Sequence, residues 1–497
     1  MRMKDCLVVG QLLQGDPAAE ITDVVYDSRQ VTPGALFVAL PGRNVDGHDF
    51  APEAVQRGAA ALVVERPVAA PAHVAVIRTD STRAALGRLA AEFWRHPSRR
   101  MRVVGVTGTN GKTTTTHLVK AVLERQGHVV GLTGTVHTLM PGERRPAGLT
   151  TPEASDLQRL FHQMAEAGCT YAVMEASSQG LDMNRVDDVE FDLGIFTNLT
   201  QDHLDYHGTF GAYREAKAKL FRLLSRPGFK PRKAAVLNID DPASEYYRSV
   251  TEVPVYTYGF RPDAMVRAAD VELSPAGTRL RLCTPQGEVP VSLRLVGRFN
   301  VYNALAAAAA GVAEGIGIEV IRGALEAEEG VPGRLQPVRA GQPFGVFVDY
   351  AHSPDSLENV LHTARGFTRG RLIVVFGCGG DRDPTKRPVM GRIAGCLAHH
   401  TIVTSDNPRS EDPVRIVQQI ESGLVDGLLP GHTYEVVIDR AEAIRRAVTM
   451  AEPDDVIVIA GKGHETYQIF KDRTIPFDDR AVARSLIEAR VGKGGSS

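Results

Sequence analysis

The sequence predicts an α/β protein of three domains: a small N-terminal α/β module, a central P-loop ATPase-like parallel sheet and a C-terminal Rossmann-like domain. Three observations predict it. The chain has 497 residues, a length suited to about three domains that each bury a core. Short apolar runs alternate with helical patterns over two long stretches, 101–333 and 334–497. The segment Val103-Val104-Gly105-Val106-Thr107-Gly108-Thr109-Asn110-Gly111-Lys112-Thr113-Thr114 reads as a buried strand, a glycine-rich turn and the first turn of a helix.

In chain order, residues 1–100 combine strand-like runs at 35–40 and 60–64 with turn chemistry at Pro33-Gly34 and Pro41-Gly42. A helix-like stretch through Phe93-Trp94 follows, and the proline and charge of 95–100 mark a linker. Trp94, the only tryptophan, is expected to pack rather than to bind. The second domain, 101–333, carries strands at 171–174, 193–196 and 234–237 and an alanine-rich helix at 303–312, and closes at Val331-Pro332-Gly333-Arg334. The third, 334–497, restarts the alternation with strands at 345–348, 372–376, 401–404 and 456–460. Each strand ends in polar or glycine residues, and in open α/β sheets ligands bind at those carboxyl ends. The tail 491–497 is expected to be flexible.

The glycine-rich turn is a phosphate cradle. Gly108 and Gly111 let the backbone approach phosphates, and the N–H groups of Thr109, Asn110 and the helix start at Thr113 and Thr114 point at negative charge. Lys112 can reach the outer phosphates and Thr113 can ligate Mg²⁺. The spacing departs from the standard pattern, which puts its first glycine where Val106 stands; Gly105 is one residue early.

Composition excludes several classes. With 57 basic and 59 acidic residues the net charge is −2, so no polyanion-binding surface and no nucleic-acid partner are expected. Cys6, Cys169, Cys283, Cys378 and Cys396 are scattered and odd in number, against a disulfide framework and in favour of a reducing cytoplasm. No segment has the length of a membrane span or a signal core, so a soluble cytoplasmic protein is expected.

Glu175 follows the run at 171–174, from where a carboxylate reaches a metal beside a phosphate loop. The segment 197–208 packs His203, His207, Asp202 and Asp205 behind another strand. No zinc spacing is met, and Mg²⁺ prefers oxygen, which makes a histidine ligand atypical.

Together, Gly108-Thr109-Asn110-Gly111-Lys112-Thr113-Thr114, Glu175-Ala176-Ser177-Ser178, Thr197-Asn198-Leu199 with Asp202-His203-Leu204-Asp205, and Asp349-Tyr350-Ala351-His352-Ser353-Pro354 resemble the Mur ligases, ATP-dependent amide ligases of peptidoglycan precursor synthesis. The resemblance covers essentially the whole chain. Asp406-Asn407-Pro408-Arg409 and Gly461-Lys462-Gly463-His464-Glu465 are similar to the members that add the third residue of the stem peptide. That implies UDP-MurNAc-dipeptide, ATP and meso-diaminopimelate as substrates, Mg²⁺ as cofactor, and a monomer without membrane insertion.

The resemblance also implies roles. Tyr26, Ser28, Arg43, Asn44 and Val45 would hold the UDP end, and Thr150, Thr151, Ser177 and Arg185 the muramoyl peptide. Leu149 and Met183 depart from the family pattern beside those groups. Lys217 matches a lysine carried as N6-carboxylysine, whose carbamate would help hold Mg²⁺ with Thr113, Glu175 and His203; Lys112, Lys217 and His203 would be the catalytic groups. Read without the resemblance, Lys217 is a solvated charge on an amphipathic helix, and Lys219 its ordinary neighbour. Asn238 would meet adenine, and Arg334, Asp349 and Tyr350 the nucleotide. Arg382 and Arg409 would pair with carboxylates and Glu465 with the distal ammonium of the amino acid, in a pocket completed by Asp406, Asn407, Pro408 and Gly461. Three rival readings are a folylpolyglutamate synthetase-like ligase, the same ligation with L-lysine, and a P-loop switch ATPase; an idle nucleotide-binding module is a fourth.

Overall fold

The computed structural model describes residues 1–42 and 45–494. The chain forms two compact units: Met1–Arg267 with Thr284–Gln286 and Asn303–Ile321, and Ala268–Cys283 with Gly287–Tyr302 and Arg322–Ser497.

The first unit holds two sheets. Its N-terminal sheet runs Gln11–Gln14, Ala75–Arg78, Ala61–Val64, Leu36–Val38, Val24–Val25, parallel except for the Gln11–Gln14 edge. The helix Thr82–Phe93, capped by Ser81 accepting from the Ala84 N–H, covers one face with Leu86, Leu89 and Ala90. Trp94 packs edge-on to Phe93 at 4.9 Å and against His162 at 4.7 Å, as a packing residue should.

The larger sheet runs Val255–Gly259, Ala234–Asn238, Leu193–Phe196, Arg102–Thr107, Tyr171–Glu175, Val130–Thr133, all parallel, and ends in an antiparallel hairpin, His137–Met140 and Glu143–Pro146. These strands read as apolar runs because both faces are covered. The strand Arg102–Thr107 lies between Tyr171–Glu175 and Leu193–Phe196, so three strand ends meet at the phosphate loop. The helix Ala154–Glu166 buries Leu157, Leu160, Phe161 and Met164 in the apolar core, with Ala154, Ser155 and Gln158 buried beside them.

Where this helix meets the N-terminal module, Asp188 is half-buried 4.0 Å from Arg88, and desolvation lifts its carboxyl to about 6. A raised carboxyl favours the folded state fully below its unfolded value near 4, and that contribution is lost as pH rises through about 6. Asp188→Asn is therefore expected to raise the melting temperature near pH 8 more than near pH 5. Equal shifts at both would show that Asp188 is not the titrating group.

In the second unit the sheet runs Gln336–Pro337, Gly345–Asp349, Val456–Ala460, Leu372–Phe376, His400–Val403, Thr433–Val436, parallel but for its first edge. Helices lie on both faces, as two separate apolar clusters show. Helices Lys386–Leu397 and Pro413–Gly427 approach so closely that a Cβ on Gly423 would lie 1.9 Å from the Pro388 carbonyl oxygen. Gly423→Ala is expected to cost about 1–3 kcal/mol by overpacking, read as a lowered denaturation midpoint at unchanged activity per folded molecule. An unchanged midpoint would contradict this packing.

The expected strands stand within a residue or two of their sequence bounds, whereas the long strands Val266–Ser274, Gly277–Thr284 and Gly287–Leu293 were not expected. Of the tail expected to be flexible, residues 491–494 belong to the final helix Asp479–Gly494, and 495–497 lie outside the described residues. Among the described residues no helix is long and apolar enough to cross a membrane, and no disulfide joins the five cysteines.

Candidate active site

The phosphate loop is built by close backbone approach. Gly108 has φ +147 and a Cβ there would stand 1.9 Å from Thr197 Oγ1; Gly111, at φ +84, opens the helix Lys112–Arg125. The neighbouring strand end grips the loop. Thr197 donates to the Asn110 carbonyl at 2.7 Å, Asn198 donates to the same carbonyl at 3.1 Å and accepts from the Asn110 N–H at 3.0 Å, and Thr109 donates to the Thr200 carbonyl at 3.1 Å. Thr113 and Thr114 are buried in the first helical turn.

Two lysines converge on one carbonyl. Lys112 Nζ donates to the Gly108 oxygen at 3.0 Å and to the Thr109 oxygen at 2.8 Å, and Lys217 Nζ donates to the same Gly108 oxygen at 2.7 Å. Lys217 is 1 % exposed, so reading it as a solvated surface charge is wrong: on the helix Phe210–Ser225 it sits in the buried stripe with Tyr213, Leu220 and Phe221. Burial, reinforced by the Lys112 charge, holds its ammonium well below the usual lysine range. Lys219, by contrast, makes an ordinary ion pair with Asp187 at 2.7 Å.

Glu175 ends its strand buried, accepting from the Thr135 N–H at 2.8 Å and the Thr135 hydroxyl at 3.1 Å. Thr151 donates to the Glu175 carbonyl at 2.9 Å, lies 3.0 Å from Ser177 Oγ, and its own carbonyl accepts from Arg185 at 2.9 Å; Thr150 is 3.1 Å from Thr135 Oγ1. Thr150, Thr151, Glu175, Ser177 and Arg185 thus form one hydrogen-bonded cluster. Glu153, missed in the sequence, anchors Arg185 at 2.9 Å. Met183 takes part through its sulfur, 3.3 Å from Arg185 Nη2.

Thr113 and Glu175 offer hard oxygens at adjoining elements, a donor set that suits Mg²⁺. Among the described residues no group of three or more His, Cys, Asp or Glu side chains is placed to hold a metal ion by itself. His203 is half exposed, 3.5 Å from Asp202, with a left-handed backbone; its ring lies 6.2 Å from that of Tyr213, whose hydroxyl is 3.0 Å from Thr109. Asn238 is buried and donates to the Thr197 carbonyl at 2.8 Å. A cavity of about 350 Å³ opens beside its strand end, lined by Ile239, Asp241, Ser244, Arg248 and Arg261.

In the N-terminal module Tyr26 donates to Asp156 at 2.9 Å and buried Ser28 to Glu53 at 2.9 Å; Val45 is exposed. Arg43 and Asn44 lie outside the described residues.

In the second unit, Asp349 accepts from the N–H groups of Leu335 at 2.6 Å and Ala351 at 2.8 Å, and burial raises its carboxyl. Tyr350 stands between Arg334, 5.7 Å from its ring, and His464, at 5.0 Å. Arg409, at φ +51, donates to the Gly380 carbonyl at 2.7 Å and lies against Gly379, next to which exposed Arg382 departs. Asn407 donates to Glu465 at 2.7 Å, and Gln468 donates to the Asp406 carbonyl at 2.7 Å.

Three buried cations absent from the sequence expectations brace these loops. Arg387 binds Glu411 at 2.8 Å and the Gly379 carbonyl at 3.3 Å, while Glu411 accepts from the Asp381 N–H at 2.6 Å. Arg440 pairs with Asp479 at 2.7 Å, both fully buried, and donates to the Ala460 carbonyl at 3.0 Å just ahead of Gly461. Lys462, 0 % exposed, donates to Asn407 and to Glu465, each at 3.0 Å.

Three family profiles match the chain. The profile described as Mur ligase family, catalytic domain matches residues 20–94, the Mur ligase middle domain matches 106–311, and the Mur ligase glutamate ligase domain matches 333–463. The chain belongs to the Mur ligase family.

Among curated Mur ligases, the UDP-N-acetylmuramoyl-L-alanyl-D-glutamate–2,6-diaminopimelate ligases of Geobacillus thermodenitrificans and Geobacillus kaustophilus are each 49 % identical over 477 residues, 96 % of this chain and 96 % of theirs. A solved structure of a ligase of that name superposes with a TM-score of 0.73 at 33 % identity, covering 99 % of both chains. The three-domain α/β fold with parallel sheets is the Mur ligase fold.

Proposed function

We propose that this Mur ligase adds meso-2,6-diaminopimelate to the D-glutamate of UDP-MurNAc-L-Ala-D-Glu in the cytoplasm, consuming ATP through an acyl phosphate. The divisions are 1–100 for the UDP-sugar, 101–333 for ATP and 334–497 for the amino acid. The single observation that carries the reading is the convergence of Lys112 and Lys217 on the Gly108 oxygen, beside the cluster of Glu175, Thr151, Ser177 and Arg185. Phosphate-binding and acceptor-binding groups are thereby set side by side, as transfer from ATP to a bound carboxylate demands.

The chemistry follows. Thr151, Ser177 and Arg185 hold the dipeptide so that its γ-carboxylate meets the terminal phosphate. Lys112 leaves the loop carbonyls it now binds and offsets the charge growing on the transferred group. Thr113 and Glu175, with His203 and a carboxylated Lys217 as further supports, would hold Mg²⁺, which would neutralise the phosphates when bound. The amine of the amino acid then attacks the acyl phosphate carbonyl, and phosphate leaves with the C–O bond electrons.

Lys217 suits carbamate formation. A buried amine with a suppressed proton affinity gives up its proton more readily for attack on CO₂; the N–C bond forms, one proton leaves, and the resulting anion replaces like-charge repulsion from Lys112 with attraction. Lys217→Ala is expected to be nearly inactive, with partial recovery on adding short-chain carboxylates. Full activity without them would reduce Lys217 to a packing residue.

The experiment for the whole reading is product mass from UDP-MurNAc-dipeptide, ATP and a panel of amino acids. Phosphate release that ignores amino acids would favour a switch ATPase instead.

A further inference from the structure

Glu465 is expected to receive a distal ammonium, yet it already has a cation of its own. Lys462 Nζ reaches Glu465 Oε2 at 3.0 Å and Asn407 Oδ1 at 3.0 Å, and Asn407 Nδ2 reaches the same Oε2 at 2.7 Å. The Ile469 N–H also donates to Asn407 Oδ1 at 3.0 Å, which fixes the amide orientation. All of these bonds to the carboxylate end on Oε2, so Oε1 is left to accept another donor, and the Glu465 side chain is 16 % exposed whereas that of Lys462 is 0 %. A buried charge needs a partner, and this pair provides it internally.

We infer that Lys462 is a specificity-determining residue: its sequestered ammonium cancels the charge of Glu465, so the pocket selects a distal carboxylate through its arginines and does not reward a lone distal ammonium. The inference rests on the proposed addition of diaminopimelate and names what excludes its decarboxylated counterpart. A distal centre with both groups donates to Oε1 and brings a carboxylate to Arg409. L-Lysine brings only the cation. Against an uncompensated Glu465 that cation would gain a full ion pair; against the Lys462–Glu465 pair it gains a hydrogen bond beside a like charge and faces the guanidinium of Arg409 as well. Specificity here comes from a repulsive element as much as from an attractive one.

Competition between the two amino acids tests this in the full-length enzyme. Wild type must form the diaminopimelate product; if it does not, the proposed function fails before Lys462 is at issue. In Lys462→Met, of similar length but neutral, selectivity for diaminopimelate over lysine is expected to fall by about tenfold or more through a lower KM for lysine, with KM for ATP unchanged. In Lys462→Met/Glu465→Gln the gain for lysine should vanish, and Lys462→Arg should keep the wild-type preference. Glu465→Gln alone, which leaves the buried cation uncompensated, should reject lysine more strongly than wild type does, and it remains informative if Lys462→Met does not fold. Unchanged selectivity in Lys462→Met, a gain for lysine that survives in the double variant, or relaxed or unaltered rejection of lysine in Glu465→Gln would each overturn the assignment.

Discussion

Lys112→Ala is expected to remove ATP-dependent ligation and to leave the protein folded. The side chain's bonds to the Gly108 and Thr109 carbonyls lie within its own loop. The loop keeps its shape without it, since Thr197, Asn198 and Thr200 grip Thr109 and Asn110 from the next strand. What is lost is a point charge at the transferred phosphate. Removing one such preorganised donor costs about 10²–10³-fold in turnover, and a full charge more than a neutral donor. Product formation per hour, with the melting temperature as control, decides it. Near-wild-type turnover in a folded variant would refute the phosphate role.

Arg409→Ala is expected to raise KM for diaminopimelate far more than KM for ATP. The left-handed backbone at Arg409 and its bond to the Gly380 carbonyl hold the guanidinium in a fixed place against Gly379. A carboxylate seated there forms a charge-assisted pair. Truncating one partner of such a pair costs about 2–5 kcal/mol, or roughly thirty- to several-thousand-fold in affinity. The Lys462–Glu465 pair is untouched, so lysine gains little in absolute terms while the advantage of diaminopimelate over it narrows. An unchanged KM for diaminopimelate would remove Arg409 from the pocket and leave the broader ligase assignment standing.

Much of this architecture is legible in the residues because parallel strands covered on both faces are continuous apolar runs. Val456–Ala460 and Leu372–Phe376 are buried throughout and could be bounded from sequence. The strand Glu143–Pro146 is exposed at all four positions and charged at three, so no apolar run marks it. The phosphate loop was equally plain, since glycine spacing and a following lysine are local signals. Lys217 was readable only through resemblance, although a signal existed: it falls four residues after Tyr213 and three and four before Leu220 and Phe221, on the stripe that becomes the buried face. Arg440 and Asp479 had no such signal. They lie 39 positions apart, each at the first residue of a helix, and only tertiary folding brings them together beside the Ala460 carbonyl.

The measurement that bears most directly on the account is the mass of the product formed from UDP-MurNAc-L-Ala-D-Glu and ATP with meso-diaminopimelate and L-lysine present together. The expected result is a single product heavier by one diaminopimelate residue, formed with one phosphate released per molecule and none without the amino acid. A lysine-bearing product, or phosphate release with neither amino acid present, would contradict it.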